Sequence, residues 1–218
     1  MNEATPGIDD SDELRPETVA VHEAGHAVLV LHFGIPLDSV TIAADREGGV
    51  AGSCEHEGYH PDAWTDVELD TREALLTWLN TYEEPFRIVA MGGSAAEEIA
   101  FGHARWDEAM GDRNGLYDII DSSGRWHLGV DSPPSADASY AAEVERATED
   151  AKRLLRRHWP AVQALAAALL RDETLDGETA LAIVDEADPT LNARPARARW
   201  ATANGWIWGP RSAGDEHG

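Results

Sequence analysis

The chain has 218 residues, 43% of them hydrophobic, and a formal net charge of −24 from 41 acidic and 17 basic residues. So acidic a surface repels nucleic acid and anionic membranes, which excludes both as expected partners. The single cysteine, Cys54, excludes an internal disulfide, and no apolar run reaches the roughly 18 residues of a membrane-spanning helix. With a polar N-terminus unlike a secretory signal, these features predict a cytoplasmic protein.

The first predicted helix runs from Pro16 to Phe33 and ends at Gly34. Proline suits the first turn of a helix, and glycine commonly follows the last. Two short strands are expected next, at residues 37–43 and 50–54, because β-branched residues cluster in the first and a glycine-containing turn precedes the second. The two strands predict a small sheet beside the helix.

Most of the remaining chain is predicted to be helical, because its apolar residues recur at the helical period. The predicted helices cover residues 71–79, 84–101, 112–122, 136–158, 159–171 and 177–187. Residues 55–70 and 102–111 are predicted loops. The expected fold class is therefore mainly α with a small β element (α+β), and the C-terminal helices are expected to form an antiparallel hairpin or bundle.

Two glycines, Gly92 and Gly93, fall in the middle of the helix predicted at 84–101, where each costs about 1 kcal/mol relative to alanine. Small residues let another backbone approach closely. The first helix offers a matching small surface at Ala24 and Gly25, so we expect these two helices to pack together.

The apolar run VAVHEAGHAVLVL at residues 19–31 places His22, Glu23 and His26 inside the first helix. Histidines at positions i and i+4 lie on one helix face, close enough to bind one metal ion, and the glutamate after the first histidine lies beside that ion. This is the arrangement of zinc peptidases. A catalytic zinc needs a third protein ligand, and the carboxylates and other histidines of the chain all stay open for that role.

The HExxH pattern occurs a second time, from His56 to His60. This copy lies between Gly52 and Pro61 in polar sequence interrupted by glycine, without the apolar period of a helix. Since nothing there predicts a helix that would place both imidazoles on one face, we interpret the second copy as a coincidence.

Four segments between residues 18 and 184 match segments of one known protein family in the same order: VAVHEAGHAVL, SVTIA, MGGSAAEEIAFG and RDETLDGETALAIV. They resemble, in turn, the zinc helix, the following strand, the Gly-Gly-x-Ala-Ala-Glu-Glu helix and the C-terminal helix of the peptidase domain of FtsH-type ATP-dependent zinc metalloproteases. The resemblance implies a zincin-like metal helix followed by a C-terminal helical bundle. It also implies Zn²⁺ as cofactor and assembly into a homo-oligomeric ring.

In that family the third zinc ligand is an aspartate that begins a helix shortly after a Phe-Gly step, which here implies Asp112. Its distance past Phe101 fits, and apolar residues follow it at helical spacing. The asparagine that precedes the aspartate in the family is replaced by Gly111. Asp118 and His103 therefore stay open as alternative ligands, and a helix N-cap is the alternative role for Asp112.

The resemblance implies a zinc metalloendopeptidase of the HExxH type, with the two histidines and Asp112 as zinc ligands and Glu23 as the general base. Glu97 and Glu98 are candidates for groups that do not bind the metal themselves but hydrogen-bond to its ligands. A peptide or unfolded protein substrate is expected to pair with the edge of the small sheet, at Val50, Ala51, Gly52 and Ser53.

The chain contains no Gly-rich loop ending in Gly-Lys-Ser/Thr and no membrane anchor, so we expect a stand-alone peptidase domain that acts without ATP. The alternative function is a non-catalytic binding or regulatory module that keeps the fold and the zinc. Glu23 argues against that alternative, because a purely structural metal site does not need a glutamate there.

The expected organisation is a leader, one domain and a tail. Residues 1–14 are predicted to be a disordered acidic leader. Residues 15–188 are predicted to form the single peptidase domain, with a metal-site part at 15–130 and the helical bundle at 136–188. Residues 189–218 carry arginines and tryptophans, which predict either a docking arm for an acidic partner or a cap on the bundle.

Overall fold

The computed structural model describes residues 15–44, 51–60, 71–122 and 137–204, so the predicted leader lies outside the described residues. The helices are α1 (Pro16–Phe33), α2 (Arg72–Trp78), α3 (Glu84–Ala90), α4 (Gly92–Phe101), α5 (Trp106–Asp121), α6 (Asp137–Arg157), α7 (Trp159–Asp172), α8 (Gly177–Ala187) and α9 (Ala193–Asn204). The strands are β1 (Leu37–Ala44), β2 (Ala51–His56) and β3 (Thr174–Asp176). This is the mainly α fold with a small β element that the sequence predicts.

Helix α1 lies at the centre of the fold. Its residues are apolar on nearly every face, and such a helix is stable only when other elements surround it. It packs against α4, α7, α9 and the first two strands, with Ala24, Ala27 and Val28 fully buried. Gly34 ends the helix as predicted, in the left-handed conformation (φ 82°) that glycine adopts without strain.

The three strands form one antiparallel sheet in the order β2-β1-β3. Val40 of the central strand pairs with Cys54 of β2 and with Leu175 of β3. Strand β3 was not predicted, because three residues are too few to show a period. Among the described residues, β2 is an edge strand, and it lies against α1.

The prediction of one continuous helix at residues 84–101 is wrong at its centre. A π-helical turn at Leu79–Glu83 joins α2 to α3, so one helical run extends from Arg72 to Ala90 and breaks at Met91. The break places the two following glycines in the first turn of α4, where they cost less than in a helix interior.

The loop predicted at 102–111 is confirmed at residues 102–105 and wrong beyond them, because α5 begins at Trp106. Gly102 ends α4 in the left-handed conformation, and the chain turns directly into the next helix. Asp112 therefore lies inside α5, so its alternative role as an N-cap is wrong.

The C-terminal helices join the same core rather than packing mainly on one another: α6 packs on α4, and α7 packs on α1. Helix α9 extends the packed structure past the predicted boundary at residue 188. Trp200 is 5% exposed and lies in an aromatic cluster with Tyr82 and Phe86, which belong to the helical run at Arg72–Ala90 and not to the predicted bundle. Trp206 and Trp208 lie outside the described residues. No helix in the described parts of the chain is long and apolar enough to cross a membrane.

Candidate metal centre

Helix α1 brings the first two candidate ligands together. His22 and His26 are one helical turn apart, and their Nε2 atoms are 3.2 Å apart. His22 is 3% exposed, and His26 is partly buried at the edge of a cleft. The predicted i, i+4 geometry therefore directs both imidazoles to one point.

The Nδ1 atoms of both histidines have hydrogen-bond acceptors. His26 Nδ1 lies 2.8 Å from the backbone oxygen of Val89, and His22 Nδ1 lies 3.0 Å from Oε1 of Glu97. A carbonyl or carboxylate oxygen accepts a hydrogen bond, so each Nδ1 carries the proton and each neutral ring has its lone pair on Nε2. Both lone pairs thus face the shared point, as metal-binding histidines require.

Asp112 supplies the third converging atom, from helix α5. Its Oδ1 lies 3.1 Å from His26 Nε2 and 3.5 Å from His22 Nε2. Its Oδ2 accepts a 2.8 Å hydrogen bond from the backbone N–H of Ser94 in the first turn of α4, where the helix dipole favours a negative charge. The carboxylate is thus held with one oxygen directed at the histidines.

The chemistry and spacing of these three groups fit zinc. Two imidazoles and a carboxylate are a common donor set for catalytic zinc, which keeps a further position open. Ligand atoms about 2.0–2.1 Å from a tetrahedral zinc are roughly 3.4 Å from one another. The three observed separations are 3.1, 3.2 and 3.5 Å.

The electrostatics of the site favour a cation. Burial alone would lower the pKa of His22, but the carboxylates of Asp112 and Glu97 outweigh burial and raise that pKa to about 10. Burial would raise the pKa of Asp112, but the two histidines outweigh burial and hold that pKa well below its ordinary value. A proton and a metal ion therefore compete for the same atoms.

Close packing between α1 and α4 is required for this geometry. A Cβ at Gly93 would lie 2.2 Å from His22 Nε2, and one at Gly25 would lie 2.5 Å from the backbone oxygen of Gly92. The contact between the two small-residue surfaces is the one expected from the sequence. This close contact places Glu97 of α4 within hydrogen-bond distance of His22.

A cleft of about 320 Å³ opens beside the three converging atoms. Its lining includes the polar side chains of Glu23, His26 and Asp112 and the apolar side chains of Phe86 and Val89. The cleft lies between β2 and helices α3 and α5, which leaves room for a substrate next to the candidate ligands.

Glu23 lies at the boundary between the cleft and the edge strand. It is 5% exposed, and a Cβ at Gly52 would lie 2.7 Å from its Oε1. Of the predicted substrate-binding residues, Ala51, Gly52 and Ser53 belong to β2, and Val50 lies outside the described residues.

The alternative ligands lie elsewhere. Asp118 and His103 are exposed, the first on α5 and the second between α4 and α5. Among the described residues, His22, His26 and Asp112 form the one group of three or more His, Cys, Asp or Glu side chains whose atoms converge as a metal site requires. The second HExxH copy is not helical, since β2 ends at His56 and no helix includes residues 57–60.

Sequence reasoning missed part of the support behind the ligands. Glu97 was a candidate for that role and contacts His22, whereas Glu98 pairs with Lys152 on the surface. The contributions of the Val89 carbonyl, the Ser94 N–H and the side chain of Arg105 were not predicted. Backbone groups carry no sequence signal, and nothing in the motif distinguishes this arginine from an exposed one.

These groups define a candidate metal centre of the zinc-peptidase type. Two histidines come from one helix, the third candidate ligand is an aspartate from another helix, and a glutamate lies beside them. No protein-family model matches the chain. The chain is 32% identical to the ATP-dependent zinc metalloprotease YME1L of Drosophila melanogaster, in an alignment that covers 80% of this chain. It is 33% identical to the ATP-dependent zinc metalloprotease FtsH of Acidimicrobium ferrooxidans, in an alignment that covers 81% of this chain.

The chain spans 25% and 29% of the lengths of these two curated relatives. A third relative, ATP-dependent zinc metalloprotease FtsH 2 of Sphaerobacter thermophilus, is 29% identical in an alignment that covers 76% of this chain. Most of this chain therefore corresponds to an FtsH-type zinc metalloprotease region, which confirms the resemblance seen in the sequence motifs.

Proposed function

We propose that this chain is a zinc metallopeptidase in which His22, His26 and Asp112 hold Zn²⁺ and Glu23 is the general base. The observation that carries the proposal is the convergence of two Nε2 lone pairs and one carboxylate oxygen at zinc-compatible separations. Zinc bound there would polarise the scissile carbonyl and lower the pKa of a water molecule toward about 7.

The chain's own part in proton transfer falls to Glu23. Its side chain lines the same cleft as His26 and Asp112. From there it would accept the proton of the attacking water and later deliver it to the amine of the leaving fragment. Its burial against Gly52 holds the carboxylate beside the edge strand.

The substrate we propose is an extended peptide or an unfolded protein segment. Such a segment can add to the edge of β2 through backbone hydrogen bonds near residues 51–53, with alternate side chains directed into the cleft. We propose cleavage of unfolded substrates as the activity of this region, and action without ATP stays a prediction. A homo-oligomer and a cytoplasmic location stay predictions.

The test measures zinc per chain and the cleavage of casein and peptide libraries by three proteins. Wild type should bind one zinc and cleave. Glu23→Gln should keep the zinc and lose roughly 10²–10⁴-fold in rate, the usual contribution of a general base. Glu57→Gln, the same change in the second HExxH copy, should behave as wild type.

Zinc-free wild type would refute the proposal, and so would full activity of Glu23→Gln. A wild type that binds zinc but cleaves nothing would favour the non-catalytic binding module instead.

A further inference from the structure

Glu97 is a fully buried carboxylate that connects His22 to Arg105. Its Oε1 accepts the hydrogen bond of His22 Nδ1 at 3.0 Å. The same oxygen lies 3.0 Å from Nε of Arg105 and 2.9 Å from its Nη2. Its Oε2 accepts a 2.7 Å hydrogen bond from the backbone N–H of the same arginine. One arginine therefore contacts both oxygens of the group that orients a candidate ligand.

We propose that Arg105 is a positioning residue of the metal centre, which fixes the Glu97 carboxylate and through it the ring of His22. The inference rests on the proposed zinc site and adds a residue to it. A buried carboxylate needs charge-paired partners: the guanidinium donates to Oε1 through Nε and places its positive charge beside that oxygen, while the backbone N–H of Arg105 donates to Oε2. Arg105 is itself 7% exposed, so little water competes for the pair.

The same residue also positions Asp112. Arg105 directly precedes α5 in an extended conformation, and its carbonyl accepts the N–H of Ala109 in the first turn of that helix. The bonds between Arg105 and Glu97 thus join the end of α4 to the start of α5. Because α5 carries Asp112, the position of Arg105 affects two of the three candidate ligands.

The test compares Arg105→Met, which keeps the length and removes the charge, with Arg105→Lys, which keeps a charge but lacks the Nε donor. Arg87→Met is the matched control. Arg87 is 1% exposed and pairs with the buried Glu83 at 2.7 Å, so it is an equally buried arginine–glutamate pair that does not contact the ligands. Zinc affinity is measured by chelator competition, the ligand geometry by the absorption spectrum of the Co²⁺-loaded protein, and the His22 Nδ1–H by NMR.

Arg105→Met should weaken zinc binding by about 10-fold or more, since groups behind metal ligands typically contribute 10–100-fold in affinity. It should also alter the Co²⁺ spectrum and shift or broaden the Nδ1–H signal. Arg105→Lys should recover part of the affinity. Arg87→Met should lower the melting temperature and leave zinc affinity within about twofold, because its pair does not contact the ligands.

An Arg105→Met protein with wild-type zinc affinity, Co²⁺ spectrum and Nδ1–H signal would overturn the proposal. Equal losses of affinity in Arg105→Met and Arg87→Met would also overturn it, since the effect would then be general destabilisation. If Arg105→Met does not fold, the Lys variant decides by the same readouts. Zinc-free wild type would instead refute the proposed function, so the two failures are distinguishable.

Discussion

The chain carries HExxH twice, and the two copies differ in every structural respect that matters to a metal. The first, His22 to His26, lies inside the buried helix α1, and its two Nε2 atoms are 3.2 Å apart. The second begins at the last residue of β2, and no helix includes the residues that follow. The same i, i+4 spacing in sequence therefore directs two imidazoles to one point only when the backbone is helical.

The side chains of the second copy have other partners. His56 Nδ1 donates to the carbonyl of Glu57, and the Nε1–H of Trp200 donates to the Glu57 carboxylate at 3.4 Å. The backbone N–H of His60 donates to the hydroxyl of Tyr82. This copy contributes to packing at the rim of the cleft, and the first copy contributes the chemistry we propose.

The largest expected difference between the copies is in metal binding. His26→Ala removes one of three ligands and should weaken zinc affinity by at least about a hundredfold, more than a typical change behind the ligands. His60→Ala should leave zinc affinity unchanged. Zinc per chain after dialysis, together with chelator competition, measures both, and a comparable loss in His60→Ala would remove the distinction between the copies.

A second difference is in packing at the glycine of each copy. A Cβ at Gly25 would lie 2.5 Å from the backbone oxygen of Gly92, whereas one at Gly58 would meet nothing within 4 Å. Gly25→Ala should therefore lower the free energy of unfolding by about 1–3 kcal/mol, and Gly58→Ala should change it by about 0.5 kcal/mol or less. Urea unfolding measures both. Equal stabilities for the two variants would mean that α1 and α4 are not in close contact.

The histidines of the two copies should also titrate in opposite directions. In the metal-free protein, the carboxylates around His22 outweigh its burial and raise its pKa to about 10, whereas burial lowers the pKa of His56. NMR at pH 7 should show His22 charged and His56 neutral. A neutral His22 in the metal-free protein would contradict this assignment.

Two consequences follow for His22, whose pKa is raised. Its contribution to the stability of the metal-free protein should be complete below its ordinary pKa of 6.5 and should be lost as pH rises toward about 10. Zinc must displace the proton, so zinc affinity should fall about tenfold per pH unit on acidification for each proton released. Calorimetry in buffers of different ionisation enthalpy counts these protons. Binding without proton release would contradict the prediction.

A small effect on stability is expected from the Glu57→Gln substitution. Its contact with Trp200 is long at 3.4 Å, and glutamine keeps an acceptor oxygen, so Glu57→Gln should lower stability by about 1 kcal/mol or less. Thermal unfolding measures this change. A loss of several kcal/mol would show that the second copy has a larger structural role.

Local patterns were enough to predict α1, the first two strands and most helices, because apolar periodicity and glycine or proline at the ends determine them. Elements determined by tertiary contacts were not predicted. The break at Met91 and the early start of α5 depend on how α4 meets α1 and on the bonds between Arg105 and Glu97.

The residues of the candidate site also divide into those predictable from local sequence and those that depend on tertiary contacts. His22, Glu23 and His26 follow from spacing within one helix. Asp112 is 86 residues from His26 in sequence, and it came from the family resemblance rather than from its own surroundings. Arg105 had no sequence signal, because its role exists only once α4 and α5 are packed.

The most direct test is diffraction at the zinc absorption edge from crystals of the zinc-loaded protein. One anomalous peak should lie about 2.0–2.2 Å from Nε2 of His22, Nε2 of His26 and Oδ1 of Asp112, with no peak at residues 56–60. A peak coordinated by His56 or His60, or a ligand set that lacks Asp112, would contradict the account.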